Sequence, residues 1–160
     1  MFYRIKQFLL ACFSRMRIED EIFVQDYLNY EELVLFNQLK TYEKKHALYV
    51  AKGLATSFPQ EEREAIRLGL LHDIGKIEEP LSVVEKSMMV LLHGFTKGKI
   101  KNWKRLRMVR GYYEHPQRGY ERLKRIGNYP ETFLNCVRDH HELQVESEWL
   151  IRLKEWDDKA

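Results

Sequence analysis

Apolar residues recur along this chain at intervals of three and four, and no stretch alternates convincingly with the period of two that marks a half-buried strand. Phe2, Ile5, Leu9, Cys12 and Met16 make one such helical stripe in the run from Met1 to Arg17. Leu33, Phe36 and Leu39 predict a short amphipathic helix over Glu31 to Leu39. Thr41 is placed to cap the next helix, on which His46, Val50 and Leu54 share a face. Pro59, Glu61 and Glu62 open another, with Ala65, Leu68, Leu71 and His72 turned inward and Gly75 suited to a left-handed C-cap. Ser82 begins a helix to about Leu92, after which Gly94 and Gly98 interrupt the pattern. A basic stretch to Arg110 reads as partly helical. His115-Pro116 starts a helix that Gly127-Asn128 ends, and Pro130 starts one carrying Phe133, Leu134, Val137 and His141. Leu150, Leu153 and Trp156 lie on the last. The expected fold is all-α.

Length and composition make this one compact domain with its own core: 160 residues, of which 44% are apolar. Cys12 and Cys136 do not amount to a disulfide framework, so a reducing cytoplasm is the expected setting, and Cys136 reads as a small buried residue. The apolar part of Met1 to Arg17 is too short to cross a bilayer, which takes about 20 residues, and no cleavage site for a signal peptide follows it. That helix is expected to pack on the domain or on a partner subunit, making a homo-oligomer, rather than to lie on a membrane surface.

The formal charge of +3 conceals an uneven distribution. Lys97, Lys99, Lys101, Lys104, Arg105, Arg107 and Arg110 fall between Gly94 and Tyr113 with no acid among them. Removing these seven from the 27 Lys and Arg leaves 20 against 24 acids, so the positive field is local and suited to an anion. Trp103, Tyr112 and Tyr113 nearby could engage nucleotide bases, although a solvated basic face explains the segment equally well. No motif for sequence-specific nucleic-acid readout is present.

Candidate metal ligands are spread along the chain: His46, the His72-Asp73 pair, His115, the His140-His141 pair and Asp157. Residues three, four or seven apart share a helical face, so Asp157 points with Leu150 and Leu153, whereas Asp158 follows Ile151 and Lys154. A lone histidine on an apolar face is usually a satisfied core residue. An ionised carboxylate at an interior helix end is different, because Asp73 demands a cation or a metal. His140 and His141 differ by about 100° around a helix, so one of them can face away from the site. His93 lies outside this series and reads as a helix-end or lid residue.

The order and context of these residues resemble the HD superfamily of metal-dependent phosphohydrolases. The resemblance rests on Lys45-His46-Ala47, His72-Asp73-Ile74-Gly75-Lys76, His115-Pro116-Gln117-Arg118-Gly119, Asp139-His140-His141-Glu142 and Leu153-Lys154-Glu155-Trp156-Asp157, and it covers Thr41 to Lys159. It implies an HD-type helical bundle over residues 41–160 behind a helical extension over 1–40. It further implies a first metal held by His46, His72, Asp73 and Asp157, and a second bridged by Asp73 and held by His115, His140 and His141. Imidazole nitrogen with carboxylate oxygen suits Mn, Fe, Zn, Co or Ni, as one ion or two.

The function implied is hydrolysis of a phosphomonoester or phosphodiester of a nucleotide or another small phosphate ester. Metals would activate water and neutralise phosphoryl charge. Asp73 would fix the bridge, Lys76 would bind a phosphate oxygen, and Arg118 would supply a second charge-assisted contact. The plainer alternatives are a solvent-facing helix-end cation for Lys76 and a surface ion pair for Arg118. A metal-bearing nucleotide-binding regulatory module with little turnover is the competing expectation. No G-Y-P follows Glu142 as in cyclic-di-GMP phosphodiesterases, and Ile74-Gly75-Lys76 departs from the pattern of alarmone hydrolases, so neither substrate is indicated.

Overall fold

The computed structural model describes residues 15–142 and 146–160. Their order is α1 (Ile18–Tyr27), α2 (Tyr30–Gln38), α3 (Thr41–Ser57), α4 (Glu62–Leu71), a 3-10 turn (Ile74–Ile77), α5 (Val83–Thr96), a second 3-10 turn (Lys99–Asn102), α6 (Arg107–Tyr113), α7 (His115–Ile126), α8 (Glu131–Asp139) and α9 (Glu148–Lys159). The chain is all-α, with no strand among the described residues. Most of the expected Met1 to Arg17 helix, Cys12 included, lies outside them.

Local chemistry accounts for several helix boundaries. Asn29 and Ser82 each form a capping box. The Glu32 N–H donates to Asn29 Oδ1 at 2.9 Å, and the Asn29 N–H donates back to Glu32 Oε2 at 2.9 Å. Ser82 and Glu85 do the same for α5, at 3.1 and 2.7 Å. Other boundaries differ from expectation. Thr41 is already helical and the cap position falls on Lys40, which offers no side-chain cap. The helix expected to open at Pro59 begins at Glu62. Helix α5 continues through Gly94 to Thr96, and its left-handed ending falls on Lys97 and Gly98. Gly75 is not left-handed; it sits in the first 3-10 turn.

What Gly75 supplies is room. A Cβ there would collide with the His115 carbonyl oxygen and come within 2.6 Å of the Gly119 nitrogen, so the turn that follows Asp73 can lie directly on α7. Gly69 does the same between α3 and α4, where a Cβ would stand 2.6 Å from the Ala51 nitrogen. These close approaches set the spacing of the helices that carry the histidines.

One apolar core takes Ala47, Val50 and Leu54 from α3, Leu68 and Leu71 from α4, Leu123 from α7, Val137 from α8 and Leu153 from α9. Val24, Leu28, Leu35 and Phe36 belong to the same cluster, so α1 and α2 share the core with the helices after them. A smaller cluster of Leu81, Met89, Ile100 and Val109 joins α5, the second 3-10 turn and α6.

Within the main core Glu32 is fully buried. It accepts from Arg67 Nη2 at 2.6 Å and from the Tyr129 hydroxyl at 2.7 Å, tying α2, α4 and the start of α8 together. Removing one partner strands a carboxylate away from water. Arg67→Ala should lower the unfolding free energy by about 3–5 kcal/mol in urea titration. A change below about 1 kcal/mol, the range of an exposed pair, would show that Glu32 needs no guanidinium.

Candidate metal centre

Five helices and one turn bring the polar groups together. His46 projects from the middle of α3, His72 follows the last residue of α4, and Asp73 precedes the 3-10 turn. His115 begins α7, His140 and His141 follow α8, and Asp157 lies in the last turn of α9. His72, Asp73, His115 and His140 are buried, His46 and Asp157 are partly so, and His141 is exposed.

Two sets of possible ligand atoms result, each lying within 4.8 Å of one another: His46, His72, Asp73 and Asp157, and separately His115, His140 and His141. Asp73 stands between them. Its Oδ2 faces His46 Nε2 and His72 Nε2, both at 3.4 Å. Its Oδ1 faces His115 Nε2 at 3.2 Å and His140 Nε2 at 3.6 Å. Asp157 Oδ1 closes the first set, 2.8 Å from His46 Nε2 and 3.6 Å from His72 Nε2. The His141 ring lies against His115 and His140, with centroids 5.0 and 4.3 Å apart.

The ring orientations are set by the backbone. His72 Nδ1 lies 2.8 Å from the Gly69 carbonyl, His140 Nδ1 2.7 Å from Val137 O and His115 Nδ1 3.2 Å from Gly111 O. A carbonyl can only accept, so each Nδ1 donates a proton to it and each Nε2 is turned toward the site. The Nε2 atoms of His46, His72, His115 and His140 are buried, and among the described residues they face carboxylate oxygens without a hydrogen-bond partner. Four orphaned nitrogens aimed at two low-pKa carboxylates are what a divalent cation requires and what an ordinary core would avoid.

Electrostatics agree. Burial alone would raise the Asp73 carboxyl, but the charges of Lys76 and His72 hold it well below the usual carboxylate range. Burial is likewise overcome at Asp157, which His46 and His72 keep well below that range. At His72 burial is outweighed by Asp73 and Asp157, which draw positive charge onto the ring. At His115 burial wins against Asp73 and pushes the imidazole down to about 4, leaving it in the neutral form that coordinates metal.

Lys76 contacts Asp73 Oδ2 and lies 3.2 Å from Glu43 Oε2. Glu43 is buried; burial opposes its ionisation, but Lys76 and Lys86 bring it down to about 2. Arg118 is held by Glu78, Glu79 and Glu114, at 3.6, 3.1 and 3.0 Å, and its ion pairs among the described residues are with these carboxylates. His93 is also apart, its Nδ1 2.7 Å from the Tyr113 hydroxyl. Asp158 is exposed. Sequence reasoning passed over Glu43, although it lies three residues before His46 and therefore on the same face of α3. The three orienting carbonyls, each three or four residues before its histidine, were legible from the same periodicity.

A family model described as HD domain matches residues 44–158. Among curated proteins and solved structures none matches the chain significantly.

A divalent ion at about a hundredfold its Kd should stabilise the fold by about 2.7 kcal/mol if it binds the native state alone. Asp73→Ala should lose that stabilisation and its metal content while keeping a helical far-UV spectrum. Equal metal-induced shifts in thermal melts of the two proteins, with equal metal by elemental analysis, would remove Asp73 from the ligand set.

Proposed function

The chain belongs to the HD domain family, and from that premise we propose that it is a metal-dependent phosphohydrolase acting on a nucleotide or another small phosphate ester. Most members of that family are metal-dependent hydrolases. The observation that carries the reading is the division of Asp73, one oxygen toward His46 and His72 and the other toward His115 and His140. In this proposal His46, His72, Asp73 and Asp157 hold one ion, while Asp73, His115, His140 and His141 hold a second. When bound, the ions supply Lewis acidity toward water and the phosphoryl group.

The protein's own groups do the rest. The Gly69, Gly111 and Val137 carbonyls fix the Nδ1 side of three imidazoles, so each ring keeps its Nε2 turned toward the place of an ion. Burial keeps bulk water from screening the cluster. Lys76, anchored by Glu43, offers its ammonium to a phosphoryl oxygen beside Asp73. Arg118 serves as a positioning residue: by gripping Glu78 and Glu79 it ties the segment after the first 3-10 turn to α7. Divalent metal in one or two copies is the only cofactor this scheme needs.

Elemental analysis of freshly purified protein, followed by a metal-reconstituted panel of phosphomonoesters and phosphodiesters, tests the proposal. Metal-dependent turnover of at least one class is expected, reduced roughly a thousandfold or more in Asp73→Ala, as the loss of several kcal/mol of Lewis-acid stabilisation requires. Fully loaded protein that binds nucleotide without turnover would replace the hydrolase reading with that of a regulatory module. Lys76→Ala should keep its metal and raise KM by about 10- to 100-fold, the worth of a charge-assisted hydrogen bond. Loss of metal with Lys76 would instead make that residue a support for Asp73.

A further inference from the structure

Helix α5 carries more apolar residues than the fold buries. Val83, Val84, Met88, Met89, Val90, Leu91, Leu92 and Phe95 lie on it, and of these Met89 alone is buried. Val84, Met88, Leu91 and Phe95 are 62%, 43%, 62% and 86% exposed. Their spacing of four, three and four puts them on one face, in a continuous stripe along the helix. Singly exposed apolar side chains are ordinary, whereas an aligned row of four marks a contact surface.

The basic segment begins two residues after Phe95. Residues 101–107 are all exposed and include Trp103 at 63% and Leu106 at 43%. Of the seven cations, Arg107 pairs with Glu85 and Arg110 with Glu79. Lys97, Lys99, Lys101, Lys104 and Arg105 have no acidic partner among the described residues, in a molecule whose remaining charge is net acidic. An apolar row, an exposed indole and five uncompensated cations together call for a partner that is both apolar and anionic.

We propose that α5 and the segment over residues 97–106 form a docking surface for an anionic lipid membrane. At 14 residues α5 is about 21 Å long, too short to span a bilayer. It lies instead in the plane of the interface with Val84, Met88, Leu91 and Phe95 among the acyl chains. Trp103 sits at headgroup depth and the lysines meet lipid phosphates and carboxylates. A second copy of the chain fits less well. Pairing the stripes about a two-fold axis would bring the cations of one copy toward the start of α5 in the other, where Glu85 is already held by Arg107. This surface is separate from the metal centre, and its test does not depend on hydrolysis.

The test is co-sedimentation of the full chain with phosphatidylcholine vesicles, with and without phosphatidylserine, at low and high salt. Binding only to the anionic vesicles, weakened by salt, is expected, with a blue shift in emission that Trp103→Phe removes. Replacing Lys101, Lys104 and Arg105 by Gln should weaken binding roughly a hundredfold, about fivefold for each cation near the surface. Leu91→Ser with Phe95→Ser should abolish it, and both variants should keep the wild-type urea midpoint. The proposal is overturned if anionic vesicles are not bound or if these variants bind like wild type. It is also overturned if Leu91→Ser with Phe95→Ser dissolves a dimer seen by sedimentation velocity, or if only an acidic protein engages the segment.

Discussion

A carboxylate removed from water has to be compensated, and in this protein one carboxylate is shared by everything around it. Asp73 is 1% exposed. Lys76 and His46 approach one of its oxygens, His115 and His140 the other, and His72 reaches it from the preceding position. Each of these groups arrives on a different element, so the charge on Asp73 holds α3, the end of α4, α7, α8 and the first 3-10 turn to one point. The glycines at 69 and 75 serve the same end, since a side chain at either would push apart the backbones that deliver the ligands.

Compensation comes in two shells. The inner one is incomplete, with four imidazole nitrogens lacking hydrogen-bond partners among the described residues. The outer one is supplied by the protein: backbone carbonyls hold the Nδ1 atoms of His72, His115 and His140, and Glu43 holds Lys76. A site held in place from outside and open at its centre could hold a metal ion. The family match over residues 44–158 accords with this, since the helices inside that span carry all the candidate ligands.

The two apolar clusters divide the molecule by role. The large one, with the Glu32–Arg67–Tyr129 network in it, stabilises the scaffold around the candidate metal centre. The small one fastens α5 and α6 with four buried residues and leaves most of the apolar surface of α5 outside. A helix so weakly engaged by its own core is available to engage something else.

Helix type and inward direction were legible in the amino-acid order, because both follow from a periodicity that every residue on a helix obeys. Asp157 rather than Asp158 facing inward is the sharpest instance. Boundaries were less legible: Gly75 invited a left-handed cap, yet its lack of a side chain serves an approach by α7, which begins forty residues later. Arg118 invited a place near phosphate by lying one turn from His115, but three carboxylates converge on it through the fold. The division of Asp73 between two histidine sets, the exposure of His141 beside the burial of His140, and the anchoring of Lys76 by Glu43 were decided only when the helices packed. Period along one helix is a local property of the chain, whereas distance between helices is a property of the whole core.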